Sequence, residues 1–178
     1  MRKIGQIFKV LIPVIALVAL VVFMTGAGRR KRATLEKNKA IVLMRWNEEL
    51  WNKGNMAGAD EIIASDCVRH IAGLPDLVGP EAIKQYIVAC RTAWPDWNST
   101  PEMIIAEGDK VMVRWRCTGT HKGTAWGIPP TGNKANFITD CMYRIVGGKI
   151  VEMWEVTETA CWLQMGFKLV PPGAEGGK

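Results

Sequence analysis

The sequence predicts an α+β fold with an antiparallel sheet, preceded by one N-terminal transmembrane helix. Three observations carry this. Apolar residues recur at helical spacing through residues 33–52 and 80–94. From residue 101 onward the pattern changes to strict alternation, broken by short glycine turns. Ahead of both lies a run, residues 10–28, without a single charge.

That run would span about 29 Å at ~1.5 Å per residue, close to the ~30 Å hydrocarbon core of a bilayer. A soluble helix of this length would show a polar face, and this one has none. Thr25-Gly26-Ala27 resembles the small-residue cleavage site of a signal peptide. Against cleavage, Arg29-Arg30-Lys31-Arg32 follows at once, and dense positive charge resists translocation. The expectation is an uncleaved single-pass anchor over residues 1–32, a folded domain over 33–167 and a flexible tail over 168–178. The heavier basic flank after the span places the domain on the cytoplasmic side, with Arg2, Lys3 and Lys9 pulling the other way.

The net charge of +6 suggests nucleic acid at first sight, but its distribution excludes that. Arg2, Lys3, Lys9 and Arg29 to Arg32 outnumber the whole excess, so the remainder of the chain is nearly balanced. The five cysteines, Cys67, Cys90, Cys117, Cys141 and Cys161, show no metal-type spacing. They read as buried free thiols in a reducing compartment.

In chain order, residues 33–52 form a helix with Ala40, Leu43, Met44, Leu50 and Trp51 as its apolar stripe. Gly54 follows as a left-handed cap. Asn55 caps a second helix, residues 56–64. Residues 66–71 are extended and contain His70. Pro80 opens a third helix, whose stripe is Ile83, Tyr86, Ile87, Cys90 and Trp94, and Pro95 ends it. Strands follow over 101–107 and 111–118, then Lys134–Val146 and Lys149–Thr157 as a hairpin. A short helix over 159–166 closes the domain.

Within the second half, Gly119-Thr120-His121-x-Gly123 is followed by Gly127-Ile128-Pro129-Pro130-Thr131-Gly132, then Tyr143-Arg144 and Gly148-Lys149-Ile150-x-Glu152-x-Trp154. Upstream stand Trp51-Asn52-x-Gly54, Gly79-Pro80-Glu81 and Trp94-Pro95-Asp96; downstream stands Gln164-Met165-Gly166. Together these resemble the SnoaL-like polyketide cyclases, or ester cyclases, over residues 36–167. The resemblance implies a nuclear-transport-factor-like cone: a curved antiparallel sheet wrapped around three helices, with an internal pocket. It implies a hydrophobic, carbonyl-bearing ligand, no cofactor and no metal, and a possible homodimer through the sheet face. It also implies that one aspartate takes a proton from carbon beside a carbonyl and returns it to oxygen in an aldol closure.

Asp140 is the candidate for that acid/base, since a carboxyl inside an apolar strand loses solvation and its pKa rises. The family's aspartate stands three residues before the arginine of Tyr143-Arg144. That position is Cys141 here, and Asp140 stands four before. One residue changes the face of a strand. Either a bulge returns Asp140 to the pocket, or Cys141 lines it and Asp140 faces away. His121 shares the parity of Val111, Val113, Trp115 and Cys117 and is the candidate hydrogen-bond donor. His70 is a second histidine at a position the family favours. Trp115, Trp126 and Trp154 are the candidate pocket walls, Trp126 as a loop lid. Met153 stands where the family often has histidine. The alternatives are a binding module without catalysis, or a membrane-anchored assembly domain.

Overall fold

The computed structural model describes residues 26–125, 127–164 and 166. The chain divides into two compact units between Glu36 and Lys37. In the first, residues 26–36 are helical. Among the described residues no helix is long and apolar enough to cross a membrane. Residues 10–25 of the expected span, the tail over 168–178 and Trp126 lie outside the described residues.

In the second unit, helical residues 37–40 run into α1, Ile41–Asn52, which is wound as a π-helix. Lys53 N–H donates to the Glu48 carbonyl, five residues back, at 3.0 Å. This winding corrects the expected stripe. With about 4.4 residues per turn in an i→i+5 ladder, Val42, Trp46, Leu50 and Trp51 share the inner face and are buried, while Met44 is 60% exposed. Gly54, at φ +72°, turns the chain out of the helix as expected. Asn55 accepts from Ala57 N–H at 3.3 Å and caps a single 3₁₀ turn, Met56–Gly58. The turn runs into α2, Ala59–Ile62.

Strand β1, Ile63–Ile71, starts three residues before its expected place. Then come β2, Leu77–Val78, and α3, Gly79–Ala93, with Pro80 in its first turn. Strands β3, Asn98–Glu107, β4, Lys110–Thr120, β5, Lys134–Val146, and β6, Lys149–Thr157, follow, and α4, Thr159–Gln164, closes the unit. The two-residue β2 was not expected; it pairs Val78 with Val68 and Leu77 with Arg69.

One curved sheet contains all six strands in the order β2-β1-β6-β5-β4-β3. It is not purely antiparallel: β1 and β6 run parallel, with His70 opposite Trp154. The chain between them passes through β2, α3 and β3 to β5, far more than the dozen residues a parallel crossover needs. The β3–β4 register shifts between Pro101 and Met103, where proline offers no N–H to the ladder. A second shift separates Arg144 from Ile145 on β5 against β6. Such irregularities bend strands. The inner face presents Cys67, Val111, Val113, Trp115, Cys117, Phe137, Cys141, Tyr143 and Met153 to the buried faces of α1 and α3.

Candidate functional site

Between α1, α3 and the sheet lies a cavity of about 80 Å³. Trp46 and Trp51 reach it from α1, and Tyr86 and Cys90 from α3. Trp94 and Trp97 come from the turn after α3, Trp115 and Cys117 from β4, and Phe137, Thr139, Cys141 and Tyr143 from β5. Exposed Ala72 and half-buried Leu74 and Trp162 mark its solvent side.

The polar centre of this aromatic chamber is an ion pair that sequence reasoning missed. Arg69 on β1 donates through Nη2 to Glu155 Oε2 on β6. Their side chains are 3% and 11% exposed, and both line the cavity. The Arg69 guanidinium carbon lies 5.4, 5.2 and 4.8 Å from the ring centroids of Trp46, Trp51 and Tyr86, within cation–π range. Burial works against its charge, but the Glu155 carboxylate overcomes that and holds its pKa above the ordinary range. Its Nη1 is buried without a hydrogen-bond partner.

Glu155 also accepts from Thr157 Oγ1 at 3.4 Å and from Cys141 Sγ at 3.8 Å. Thr139 Oγ1 meets Thr157 Oγ1 at 3.0 Å, and Trp115 Nε1 donates to the Tyr143 hydroxyl at 3.2 Å. Burial, with Glu155 beside it, pushes the Cys141 thiol far up, so it stays protonated and acts as a donor. Burial likewise raises Cys90, Cys117 and Cys161 to about 12. All five cysteines are free and buried. Among the described residues, no cluster of three or more His, Cys, Asp or Glu could hold a metal.

The register decides between Cys141 and Asp140. Cys141 pairs with Val113 and Glu155, both inward, while Asp140 pairs with Arg114 and Val156. No bulge intervenes on this part of β5, so Asp140 lies on the opposite face and does not reach the cavity. Its Oδ2 accepts from Arg114 Nη1 at 3.3 Å, with the Asp140 side chain 36% exposed.

His121 is fully buried, as its parity predicts, but does not line the cavity. Its ring stacks on Trp94 at 5.3 Å and its Nδ1 meets Thr131 Oγ1 at 3.1 Å. Beside it, Asp96 accepts from Thr120 N–H at 2.7 Å and Thr120 Oγ1 at 2.6 Å, which holds the Asp96 carboxyl below its usual range. The Trp94-Pro95-Asp96 and Gly119-Thr120-His121 motifs thus lock together into a clasp behind the cavity wall. Trp51-Asn52-x-Gly54 is clasped likewise: Arg91 Nη1 donates to the Trp51 and Asn52 carbonyls, and Asn52 Oδ1 accepts from Ser99 N–H at 2.8 Å.

His70 and Trp154 lie together away from the cavity, stacked at 5.8 Å. His70 Nδ1 meets Asp76 at 2.9 Å and Nε2 meets Glu152 at 3.4 Å. Of the other expected wall residues, Trp115 and Cys141 line the cavity. Met153, at the position where the family often carries histidine, is buried in the core and is not part of the cavity wall.

A curved sheet closing over an aromatic chamber defines the class of α+β cone domains. The family model of the SnoaL-like polyketide cyclases matches residues 41–164, and the chain belongs to that family. Solved structures similar to the chain include the following three. A protein named a SnoaL-like polyketide cyclase from Jannaschia sp. CCS1 is 22% identical, over 73% of this chain and 91% of its own, with a TM-score of 0.68. AclR from Streptomyces galilaeus, named a hydroxylase, is 26% identical over 74% and 97%, with a TM-score of 0.63. A protein named a polyketide cyclase from Acidithiobacillus ferrooxidans is 27% identical over 72% and 94%, also at 0.63. No curated protein matches the chain.

Proposed function

We propose that this domain binds a hydrophobic carbonyl compound in its aromatic chamber and performs cofactor-free acid/base chemistry of the cyclase or isomerase type. The acid/base role belongs to Glu155 in this reading, not to Asp140, and Arg69 holds the oxygen on which charge develops. The observation that carries it is the buried Arg69–Glu155 pair at the cavity wall.

The proton balance favours this arrangement. Glu155 takes a proton from carbon beside the ligand carbonyl, so the carboxylate becomes neutral and the ligand becomes an enolate. Negative charge moves from one oxygen to another beside the same guanidinium, and the site's net charge is unchanged. A preorganised cation in a dry site stabilises such a charge without reorganisation. Arg69 Nη1, which has no hydrogen-bond partner, supplies the donor for the enolate oxygen. In an isomerase the proton then returns to a different atom of the enolate. In a cyclase the enolate carbon bonds to a second carbonyl carbon of the same molecule, and Glu155 returns the proton to its alkoxide oxygen.

The test is Glu155→Gln beside Asp140→Asn, both checked for fold by near-ultraviolet circular dichroism. Losing one general base lowers turnover by about 10²–10⁴-fold, so Glu155→Gln should fall by that factor and Asp140→Asn should stay within about twofold. The opposite order returns the role to Asp140. A second reading, binding without turnover, draws on the donors already gathered around Glu155: Arg69, Thr157 and Cys141. Ligand affinity with no turnover in the native chain would select it.

Membrane anchoring through residues 10–28 belongs to the same proposal, with the domain on the cytoplasmic side. Protease added outside intact cells should leave the domain whole; digestion reverses the topology.

A further inference from the structure

Cys90, Cys117, Cys141 and Cys161 line the aromatic cavity as free thiols. Cys90 is hydrogen-bonded to Tyr86 and Cys117 to Thr139, and neither hydroxyl is a base. Cys141 differs. Its Sγ donates to Glu155 Oε2 at 3.8 Å, the oxygen that also accepts from Arg69 Nη2. Thiol, carboxylate and guanidinium meet at one oxygen on the cavity wall. The acid/base chemistry above uses Glu155 and Arg69 and leaves the sulfur idle; a role for the sulfur rests on the same two side chains.

A thiol becomes a nucleophile by losing its proton. Burial, and then Glu155, holds the proton on Cys141, while Arg69 and Tyr143 act the other way. Loss of that proton to bulk water is therefore unfavourable, but its path to Glu155 is already a hydrogen bond. If it takes that path, negative charge passes from carboxylate to sulfur beside the same guanidinium, and the site's net charge is unchanged. A base attached to the nucleophile in this way is the usual means of activating it.

A second observation points to what the ligand carries. The Arg69 side chain is 3% exposed and lines the cavity, and its Nη1 has no hydrogen-bond partner. A buried N–H left open calls for an acceptor oxygen. Sulfur, being soft, prefers a polarised carbon–carbon double bond to a hard carbonyl carbon. A double bond conjugated to a carbonyl offers both parts: carbon for the sulfur, oxygen for Arg69.

We propose that Cys141 is a covalent binding site for α,β-unsaturated carbonyl compounds. The thiol proton passes to Glu155 as sulfur bonds to the β-carbon. The π pair of the double bond shifts to give an enolate, whose oxygen accepts from Arg69 Nη1. Glu155 then returns the proton to the α-carbon, which leaves a saturated carbonyl compound joined through a thioether. An S–C and a C–H bond form, an S–H and a π bond break, and no oxidant or co-reactant takes part. The same steps in reverse release the ligand.

The experiment incubates the purified full chain with 2-cyclohexen-1-one and follows it by intact-mass and peptide mass spectrometry. Expected is a single adduct, on Cys141, and none in Cys141→Ser. Losing a general base costs about 10²–10⁴-fold, so Glu155→Gln should label at least about 10²-fold more slowly. The proton goes to the paired carboxylate and not to water, so the native rate should be flat between about pH 6 and about pH 9. Attack by a thiolate formed in bulk water instead climbs about tenfold per pH unit below the thiol's pKa. This profile needs no variant and stands even if one fails to fold. No adduct, an adduct on any other cysteine, or a rate that climbs with pH in that way overturns the inference. Deuterium exchange at the α-carbon of cyclohexanone, which has no double bond for the sulfur, separates it from the acid/base reading. Glu155-dependent exchange without an enone adduct ends the covalent site alone. A Glu155-dependent adduct without exchange upholds the covalent site and counts against the acid/base reading.

Discussion

Replacing Arg69 with methionine is the most informative single perturbation of this fold. Methionine keeps a comparable apolar length against Trp46, Trp51 and Tyr86 but removes the charge. The Glu155 carboxylate, 11% exposed, then loses the partner that offsets its desolvation. Breaking a buried pair from one side costs about 3–5 kcal/mol, because the remaining charge is stranded. Against a domain stability of roughly 5–15 kcal/mol, the variant should fold but be markedly weakened. With a urea m-value of about 2 kcal/mol/M, the midpoint should fall by about 1.5–2.5 M at unchanged m. Urea titration followed by tryptophan fluorescence reads this directly, since the cavity indoles report on the same region. The double variant Arg69→Met with Glu155→Leu removes both charges, and such replacements are often neutral or stabilising. It should recover most of the loss, giving a coupling of about 3 kcal/mol or more in the double-mutant cycle. A single-variant cost under about 1 kcal/mol, or a double variant costing the sum of the singles, would refute the claim that the two charges are held by each other.

Three further outcomes follow from the structure. The thiols of Cys67, Cys90, Cys117 and Cys161, raised to about 12 by burial, should resist iodoacetamide at pH 8 in the native chain and react once unfolded; fast native labelling contradicts their placement. The hydrogen bond that the His70 ring donates to Asp76, then the one it donates to Glu152, raises the His70 pKa above its ordinary value. His70 therefore contributes stability that is fully present below about pH 6.5, its unfolded value, and is lost as pH rises through the folded value. A proton-NMR titration should show the raised midpoint, and Asp76→Asn should bring it down. At Gly123 an added Cβ would stand 2.3 Å from the Thr92 carbonyl oxygen, so Gly123→Ala must dislodge the start of the loop behind His121. We expect a loss of about 1–3 kcal/mol, visible in the melting temperature; an unchanged melting temperature would show that the loop is free to move.

Much of the architecture was legible because local pattern and global fold agree here. Pro80 and Pro95 bracket α3, the Gly108 and Gly147-Gly148 turns separate the strands, and the alternation of β4 survives intact. Where the sequence misled, a local rule was overridden by something outside its window. The stripe of α1 was read at 3.6 residues per turn, and the π-winding moved it onto Val42 and Trp46. The parallel pairing of β1 with β6 depends on a partner some eighty residues away in sequence, and no local pattern announces it.

The site illustrates the same boundary more sharply. The choice between Asp140 and Cys141 is a question of parity, and the sequence posed it correctly without being able to answer it. The answer needs the ladder: Cys141 sits opposite Val113 on one side and Glu155 on the other. A signal for the missed pair was nevertheless present. Arg69 shares the strand parity of Cys67 and Ile71, and Glu155 shares that of Val151 and Met153, so each is a charge among apolar neighbours on its face. Either alone reads as an exception or a snorkelling side chain. Only together, on neighbouring strands with opposite sign, do they satisfy the rule that a buried charge is paired. On β5 the position facing Glu155 of β6 is held by Cys141, whose protonated thiol donates to the carboxylate. In a sheet, facing positions on adjacent strands reach the same cavity, so thiol and carboxylate share one wall although no local motif joins them.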